Sequence, residues 1–300
     1  MATSNRAKVP DMTQTALILG ASGKIGRHFT TAFRAAGWQT RAYTRGTDMN
    51  VAAQGCDVIV NGLNPPAYHD WKTILPAITA QVIEAAKTSG ATILFPGNVY
   101  VYGNQPAPWS AETQQKPCSR KGEVRAAVEA QYKASGVPVI ILRAGDFLEA
   151  EVGDSHVDMV YLRGFSKGVV TAFGDPDVER AHVWLPDMAR AGVMLAQKRA
   201  ELPLFNDVPM PGLTFTTAQL ADELAQQSGR KLVVKSFPWW LFTVTAPFWE
   251  LAREMKEMRY LYDTPHSLSG DLFTRTLPDF HATPFAQVCA EILAVRATAT

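Results

Sequence analysis

Three glycines spaced three residues apart are the feature of this sequence that most clearly points to chemistry. They lie between a short apolar run, 16–19, and a segment with helical periodicity, 25–37. A strand, a glycine turn and a helix in this order bring backbone N–H groups and a helix N-terminus against a pyrophosphate. The glycines permit the tight turn, the approach of the phosphates and the close packing of helix on strand. The sequence therefore predicts a dinucleotide site at Gly20, Ala21, Ser22, Gly23, Lys24, Ile25 and Gly26.

Two cations lie where the adenosine ribose of a dinucleotide would be recognised. Arg45 ends a predicted second strand, 38–45, and Lys24 lies in the glycine turn. An acidic residue at the end of this strand would bind the free 2′-hydroxyl of NAD, whereas cations suit the 2′-phosphate of NADP. We therefore expect NADP(H) rather than NAD. The alternatives are that both cations are ordinary solvated charges, or that the nearby acid Asp48 favours NAD.

Small and polar residues follow the next two predicted strands, 57–61 and 91–95, at the sheet edge where open α/β sheets bind ligands. We expect the cofactor site to include Asn61, Gly62, Leu63 and Pro96. Asn98 could donate a hydrogen bond to an oxygen on which charge develops. Tyr100 is a candidate acid. Tyr102 is a less favoured candidate acid, because its Val-Tyr-Gly setting is typical of packing, and it is also a candidate substrate contact.

A predicted helix, 121–134, carries Lys121, Arg125 and Glu129 one turn apart. Lys121 could manage the proton that accompanies hydride transfer if burial or the neighbouring Arg125 lowered its pKa. It would then also lie against the cofactor. The same spacing is typical of an exposed ladder of charges, so both interpretations stay open.

Substrate contacts are expected in the irregular segment 144–174, at Phe147 and His156. No arrangement of histidine, cysteine and acidic residues has the spacing of a metal site, so we expect none. The aromatic residues of 237–249 favour a core or an interface in a homodimer. A membrane surface is less favoured, because the predicted helix 239–262 lacks a strongly basic face.

The overall composition restricts the partners. The 300 residues include 29 basic and 28 acidic ones, for a formal net charge of +1, which gives no case for nucleic acid or an anionic membrane. The three cysteines, Cys56, Cys118 and Cys289, are scattered, as expected in a reducing cytoplasm. No apolar run reaches the roughly 18 residues that cross a bilayer. Residues 1–13 lack the apolar centre of a signal peptide, and we expect them to form a polar, flexible leader.

Alternating strands and helices predict an α/β fold, a Rossmann-type doubly wound parallel sheet with a smaller C-terminal substrate lobe. Residues 14–145 would form the dinucleotide-binding domain, with 182–206 returning to it, and 146–181 and 207–295 the substrate lobe. Only eleven residues separate Arg45 from Asp57, too few for the usual helix and strand. Further predictions are a helix 187–198 capped by Asp187, a strand 202–205, a helix 217–228 capped by Thr216, a long helix 239–262 kinked at Pro247, and a last helix 283–295.

These motifs together resemble the extended and atypical short-chain dehydrogenase/reductase superfamily, the NAD(P)-dependent epimerase/dehydratase group. The matching segments are the glycine turn, 57–61, Val101-Tyr102-Gly103, Leu142-Arg143 and 185–189. The resemblance implies a catalytic Ser/Thr and a Tyr-x-x-x-Lys pair, but this chain has Asn98, Lys121 and Arg125 at those positions. Lys121-x-x-x-Arg125 is instead similar to the isoflavone and pinoresinol-type NADPH reductases, in which a lysine here is the proposed acid–base group.

Three functions follow as hypotheses. The first is an NADP(H)-dependent oxidoreductase acting on a small organic carbonyl or enone, in which Lys121, Asn98, Tyr100 and Arg125 form the catalytic site. The second is a binding protein that senses NADP without catalysis, which the absent tyrosine would explain. The third is an epimerase or dehydratase that keeps NAD bound.

Overall fold

The computed structural model describes residues 14–153 and 157–298, so the leader 1–13 and His156 lie outside the described residues. The described strands are β1 (Thr15–Leu19), β2 (Gln39–Ala42), β3 (Val58–Asn61), β4 (Thr92–Gly97), β5 (Val139–Arg143), β6 (Asp146–Leu148), β7 (Val169–Ala172), β8 (Arg180–Trp184), β9 (Phe205–Pro209), β10 (Leu213–Phe215) and β11 (Val233–Ser236). The helices are α1 (Lys24–Ala35), α2 (Met49–Ala53), α3 (Trp71–Ser89), α4 (Arg120–Ala134), α5 (Leu185–Gln197), α6 (Thr217–Ser228), α7 (Trp240–Thr245), α8 (Glu250–Glu257), α9 (Tyr260–Asp263), α10 (Asp271–Thr276) and α11 (Phe285–Thr298).

A six-stranded parallel sheet in the order β2-β1-β3-β4-β5-β9 organises the molecule and confirms the predicted fold class. The usual dinucleotide-binding order is 3-2-1-4-5-6. Here the outermost strand of that order is missing, because the chain between β2 and β3 forms only the five-residue helix α2. The strand order reverses between β1 and β3, and ligands of such sheets bind at this reversal.

Helices cover both faces of the large sheet. On one face, Ile18 of β1 shares a buried cluster with Phe29 of α1 and Met188 of α5. On the other face, Leu17 belongs to a cluster with Val82 of α3 and with residues of α4. Successive side chains of a strand point to opposite faces, so a strand buried on both faces reads as a continuous apolar run. This explains why the central strands could be recognised in the sequence.

The C-terminal lobe consists of two small sheets, β10-β8-β6 and β11-β7, with the helices α6 to α9 and α11. A third apolar cluster fills it, with Tyr161, Phe215 and Leu224 among its members. The predicted cap of α6 is present: Thr216 Oγ1 accepts from the Gln219 N–H, and the Gln219 side chain accepts from the Thr216 N–H. Among the described helices, none has the length and apolar character needed to cross a membrane.

Several predicted boundaries were wrong. The helix expected over 239–262 is divided into α7, α8 and α9, because Pro247 and a second break at residues 258–259 interrupt the backbone ladder. The last strand of the large sheet is Phe205–Pro209 rather than 202–205. The second strand ends at Ala42, three residues before Arg45.

Asp187 is not the cap of α5. That cap position is Trp184, and Asp187 lies in the first turn, where it is buried. Its carboxylate accepts hydrogen bonds from the N–H and hydroxyl of Thr283, at 2.6 and 2.8 Å. Asp187 therefore fastens the chain before α11 to the large sheet.

Candidate active site

The glycine turn is a tightly packed backbone cradle. Gly20 has φ +76°, a left-handed conformation that favours glycine. A Cβ on Gly26 would lie 2.1 Å from the Gly20 carbonyl oxygen, and one on Gly20 would lie 2.9 Å from that of Gly62. Glycine is thus required at these positions, because β1, α1 and the loop after β3 meet backbone to backbone.

The cradle fits a pyrophosphate. Gly23 precedes α1 and supplies no capping side chain, and the first turn of the helix contains no acidic residue. The N–H groups of that turn lack intrahelical acceptors, and the helix dipole favours an anion there. Ala21, Ser22 and Ile25 continue the same turn, and Lys24 is its half-buried cation.

Arg45 lies at the carboxyl edge of the large sheet, just beyond β2. It is exposed, and its guanidinium pairs with no residue in the described part of the chain. Asp48 instead caps α2, since its Oδ1 accepts the Asn50 N–H at 2.8 Å. The acid that could have favoured NAD is therefore engaged in local structure.

The loop after β3 is held by Asn61. Its side chain is buried, donates to the Tyr132 hydroxyl at 2.8 Å and accepts the Leu63 N–H at 3.2 Å. Asn61 thus shapes the loop that carries Gly62 and Leu63 past the glycine turn. Pro96 lies within β4, where it is buried and pairs in the register with Leu142 of β5.

Lys121 is buried near the start of α4 rather than exposed on a ladder of charges, with 3% of its side chain accessible. Its Nζ contacts Glu254 Oε2 and lies 3.1 Å from Glu257 Oε2, and both glutamates belong to α8. Glu257 also accepts from the Lys121 backbone N–H and from Arg120. Burial opposes ionisation of Glu257, but these hydrogen bonds outweigh it and hold its pKa below the ordinary value.

Arg125 is also buried, one turn further along α4. Its Nη2 donates to Asn64 Oδ1 at 2.9 Å, and its guanidinium lies 4.5 Å from the ring centroid of Trp71. Its Nε is buried and has no hydrogen-bond partner. Lys121 and Arg125 therefore both point into the structure, where each is held by protein groups from another element.

Asn98 and Tyr100 lie together at the end of β4. Asn98 Oδ1 accepts the Tyr100 N–H at 3.1 Å and forms the turn that orients the tyrosine. The Tyr100 hydroxyl lies 3.5 Å from that of Tyr68, whose ring in turn is 5.0 Å from Lys121 Nζ. Burial raises the pKa of Tyr100 well above its usual value, so the phenol stays protonated and could donate a proton or hydrogen bond.

The three predicted substrate contacts, Tyr102, Phe147 and His156, do not lie together in one described site. Tyr102 is 1% exposed and donates to the Ser110 carbonyl at 3.0 Å, so its hydroxyl is satisfied within the core. Phe147 lies in β6, partly buried against the core of the large sheet. His156 lies outside the described residues.

Five residues missed in the sequence analysis complete the surroundings of the site. Asp146 follows β5 and pairs with Arg180, whose Nη1 donates to the Tyr161 hydroxyl at 3.0 Å. Glu254 and Glu257 reach the site from α8. Sequence spacing could not reveal these partners, because each is distant along the chain from the group it contacts.

A buried ion cluster supports the floor of the site. Arg143 is fully buried, and its guanidinium binds Glu129 at 2.8 Å and Asp207 at 2.6 Å. Its Nη1 also donates to the Asn98 carbonyl at 2.6 Å. This cluster joins the end of β4 to β5, β9 and α4, so it holds the backbone at Asn98 in place.

One group of described residues has metal-ligand types close together, although no metal site was expected. Ligand atoms of His28, Glu149 and Glu151 lie within 4.8 Å of one another. Arg27 already pairs with both carboxylates, at 3.3 and 2.7 Å. A guanidinium therefore supplies the positive charge there.

A known family matches the middle of the chain, which includes Asn61, Asn98, Tyr100, Lys121 and Arg125 of this site. The model of the NAD dependent epimerase/dehydratase family matches residues 49–207, more than half of the chain. The chain belongs to the NAD dependent epimerase/dehydratase family. The match begins after the glycine turn, so the cradle is an observation independent of it. No curated protein sequence matches the chain.

Solved structures similar to this family member share its fold over almost its full length. MoeE5 in complex with UDP-glucose and NAD has a TM-score of 0.76 and 15% identity, over 95% of this chain and 100% of that one. A putative epimerase from Burkholderia cenocepacia J2315 has a TM-score of 0.76 and 16% identity, over 95% and 98%. The NDP-hexosamine 5,6-dehydratase TunA has a TM-score of 0.73 and 14% identity, over 95% and 98%. At these identities the likeness concerns the fold.

Proposed function

We propose that the protein binds a nicotinamide dinucleotide at the glycine turn and uses it for hydride transfer at an alcohol or carbonyl carbon of a small organic substrate. The observation that carries this proposal is the cradle, where Gly20, Gly26 and Gly62 bring three backbone segments together at the strand-order reversal. Membership of the epimerase/dehydratase family supports the same cofactor class. The dinucleotide supplies the hydride acceptor or donor when bound.

We further propose NADP(H) as the preferred form. Arg45 is an exposed cation without a protein partner in the described chain, next to the position of the adenosine ribose, and Asp48 is occupied as a helix cap. A 2′-phosphate would gain a charge-assisted hydrogen bond from Arg45 that a 2′-hydroxyl would not. Measured affinities for NADP⁺ and NAD⁺ test this preference directly.

Lys121 is our candidate for the acid of the reaction. Its Nζ lies between two carboxylates and 5.0 Å from the ring of Tyr68. In reduction it could give a proton to the substrate oxygen, while Asn98 donates a hydrogen bond to the same oxygen. Tyr100 is the alternative acid, because its hydroxyl is protonated and faces the same space.

The family membership favours an epimerase or dehydratase over the net oxidoreductase expected from the sequence. Both types begin by moving a hydride, but an epimerase or dehydratase returns it before product leaves. A sugar nucleotide is then a substrate class to be tested together with small carbonyl compounds and enones, because MoeE5 is described in complex with UDP-glucose.

The test combines binding with turnover. Tryptophan fluorescence would be titrated with NADP⁺ and NAD⁺, and any copurifying cofactor would be identified after denaturation. The protein would then be incubated with NDP-sugars and with carbonyl compounds while absorbance at 340 nm and products are followed. Product formed without net change in cofactor identifies an epimerase or dehydratase, and net change identifies an oxidoreductase. Absence of dinucleotide binding would refute the proposal.

A specific observation keeps a second function in view. The residues at the family's tyrosine and lysine positions, Lys121 and Arg125, are both bound by protein groups. A protein that binds the dinucleotide as a signal would need no acid–base group there. Micromolar binding without turnover on the whole substrate panel would support this function.

The scattered free cysteines agree with the cytoplasmic location expected from the sequence.

A further inference from the structure

An apolar surface projects from the C-terminal lobe at α7 and the connection to α8. Phe248 is 93% exposed, and Trp240 and Val244 are each 64% exposed. Soluble proteins rarely expose several large apolar side chains in one place unless the place is an interaction site. We call this surface the apolar apex, and it consists of Trp240, Leu241, Val244, Phe248 and Trp249.

The helix that carries the apolar apex packs on buried aromatic residues of the C-terminal lobe. Phe242 of α7 is buried against Phe237 and Trp239, with ring centroids 4.7 and 5.6 Å apart. The Trp239 indole N–H donates to the Phe173 carbonyl. The segment therefore uses one set of aromatic residues to anchor itself in the lobe and presents another set to its surroundings.

Cations border the apolar apex. Arg253 donates to the Ala246 carbonyl at 3.2 Å, at the end of α7. Arg259 lies 5.4 Å from the ring of Trp239, at the start of α7, and Lys235 and Lys256 are exposed on the adjoining elements β11 and α8. Arg253, Lys256 and Arg259 belong to the segment 239–262 that was expected to form one helix without a strongly basic face, and Lys235 lies outside it.

The acidic residues nearby are mostly engaged by protein cations. Glu254 and Glu257 bind Lys121 and Arg120. Asp263 lies 3.6 Å from Arg259, and Glu250 lies 3.3 Å from the His69 ring. The salt bridge to Asp263 takes up the charge of Arg259, and Glu250 stays acidic, because its partner His69 is charged only when protonated. The excess positive charge of the border therefore comes from Lys235, Arg253 and Lys256.

A second copy of the chain fits this surface poorly. The five side chains expose on the order of 600 Å², whereas a stable interface takes about 800 Å² from each partner. A two-fold contact would also place the same cations opposite one another. An anionic surface with an apolar layer beneath it complements both the charges and the aromatic residues.

We propose that the apolar apex docks on the surface of an anionic phospholipid bilayer. Trp240, Phe248 and Trp249 would enter the boundary between headgroups and acyl chains, and Arg253 and Lys256 would meet the lipid phosphates. The two glutamates that hold Lys121 are on α8, immediately after the apolar apex. Docking would therefore bring the lipid surface beside the helix that covers the candidate active site. This inference does not depend on the reaction proposed above.

Flotation of the full chain with lipid vesicles tests the proposal. Vesicles of phosphatidylcholine with 30% phosphatidylglycerol would be compared with pure phosphatidylcholine at low and high salt. We expect binding to the anionic vesicles that decreases with salt, and a blue shift of tryptophan emission. The variant F248S/W249S removes Phe248, which is 93% exposed, and Trp249, which is 48% exposed and lies 6.0 Å from the ring of Phe242. It should lose at least tenfold in vesicle affinity, and an unchanged circular dichroism spectrum and thermal midpoint would show that it folds normally.

The matched control is V51S/L204S, which removes two exposed apolar side chains elsewhere and should bind vesicles as the unaltered chain does. Equal vesicle binding by F248S/W249S, or no binding of the unaltered chain to anionic vesicles, would overturn the proposal. A dimer in sedimentation analysis that F248S/W249S abolishes would assign the surface to a second copy and would also overturn it.

Discussion

The two halves of the candidate active site consist of different chemical groups. The dinucleotide half is backbone, in which Gly20, Gly23 and Gly26 lie within seven residues and meet the loop at Gly62. The acid–base half is made of buried charged side chains, and Lys121 is held by glutamates 133 and 136 residues away. Local spacing specifies the first half, whereas tertiary contacts specify the second.

This difference has a physical consequence for change during evolution or engineering. A backbone cradle tolerates no added Cβ, so its sequence is restricted. A buried ion pair can be exchanged for another arrangement if both partners change, but losing one partner leaves an unpaired charge. Chemistry can therefore vary in the second half while the first half stays the same.

The largest effect is expected from Gly26→Ala. The new Cβ would lie 2.1 Å from the Gly20 oxygen and 2.6 Å from the Ala21 Cα, and backbone atoms cannot move aside cheaply. We expect more than a 100-fold loss of dinucleotide affinity, measured by fluorescence titration or calorimetry. Gly136→Ala is the matched control, because its Cβ would meet no atom within 4 Å and only its φ of +73° is strained. It should cost about 1 kcal/mol of stability without changing affinity.

Lys121→Met tests the side-chain half. The substitution keeps length and apolar stem but removes the ammonium, so turnover should fall by about 100-fold while dinucleotide affinity changes much less. Lys133→Met, at an exposed lysine of the same helix, should leave turnover intact. Retained turnover in Lys121→Met together with its loss in Tyr100→Phe would transfer the acid role to Tyr100.

Acid should destabilise the folded protein through His266, a buried residue between α9 and α10 that stacks on Trp109. Burial and the charge of Arg180 lower the pKa of His266 to about 4, from an ordinary value of 6.5. Between those two values the unfolded chain binds a proton that the folded protein does not, so stability falls as pH falls from 6.5 towards 4. At pH 5 this group should cost about 2 kcal/mol relative to pH 7.

The variant His266→Phe keeps a ring stacked on Trp109 and removes the titrating group. Urea unfolding at pH 7 and pH 5 should show a smaller loss of stability for this variant than for the unaltered chain. An identical loss in both would show that His266 does not carry the effect.

The smallest effect is expected at Arg45, one of the two cations predicted to recognise the 2′-phosphate. Arg45→Glu should lower the preference for NADP⁺ over NAD⁺ by about tenfold, because a cation is replaced by a charge that repels the 2′-phosphate. Arg163→Glu makes the same charge change at an exposed position of the C-terminal lobe and serves as the control. Equal ratios for the two variants would leave Arg45 without a role in specificity.

What the sequence could predict follows the same division. Strands β1, β3 and β4 are mostly apolar runs, and the capping residues of α6 are three positions apart along the chain, so local patterns identified them. The fold class followed from these elements. The environment of Lys121 did not, because an exposed ladder of charges and a buried ion pair have the same spacing along α4.

The C-terminal lobe was harder for a related reason. Residues 239–262 have enough apolar residues for one helix, but the helix breaks near Pro247 and at 258–259, and its aromatic residues divide between the lobe core and the exposed apolar apex. Likewise, Asp187 has the residue type of a helix cap, yet Thr283 determines what it binds. The division of residues 239–262 and the partner of Asp187 both depend on tertiary contacts, which a local sequence pattern does not specify.

The missing outer strand gives β2 an open edge, and its composition suits that position. Unpaired N–H and C=O groups along a sheet edge can pair with a strand of another molecule and begin aggregation. Three of the four residues in β2, Gln39, Arg41 and Ala42, are exposed. Arg41 donates to the Ala52 and Gln54 carbonyls at 2.6 and 2.9 Å, so its charge stays at the edge strand and opposes pairing with another strand. Protection against edge-to-edge association is thus built into the same strand that leads to the cofactor site.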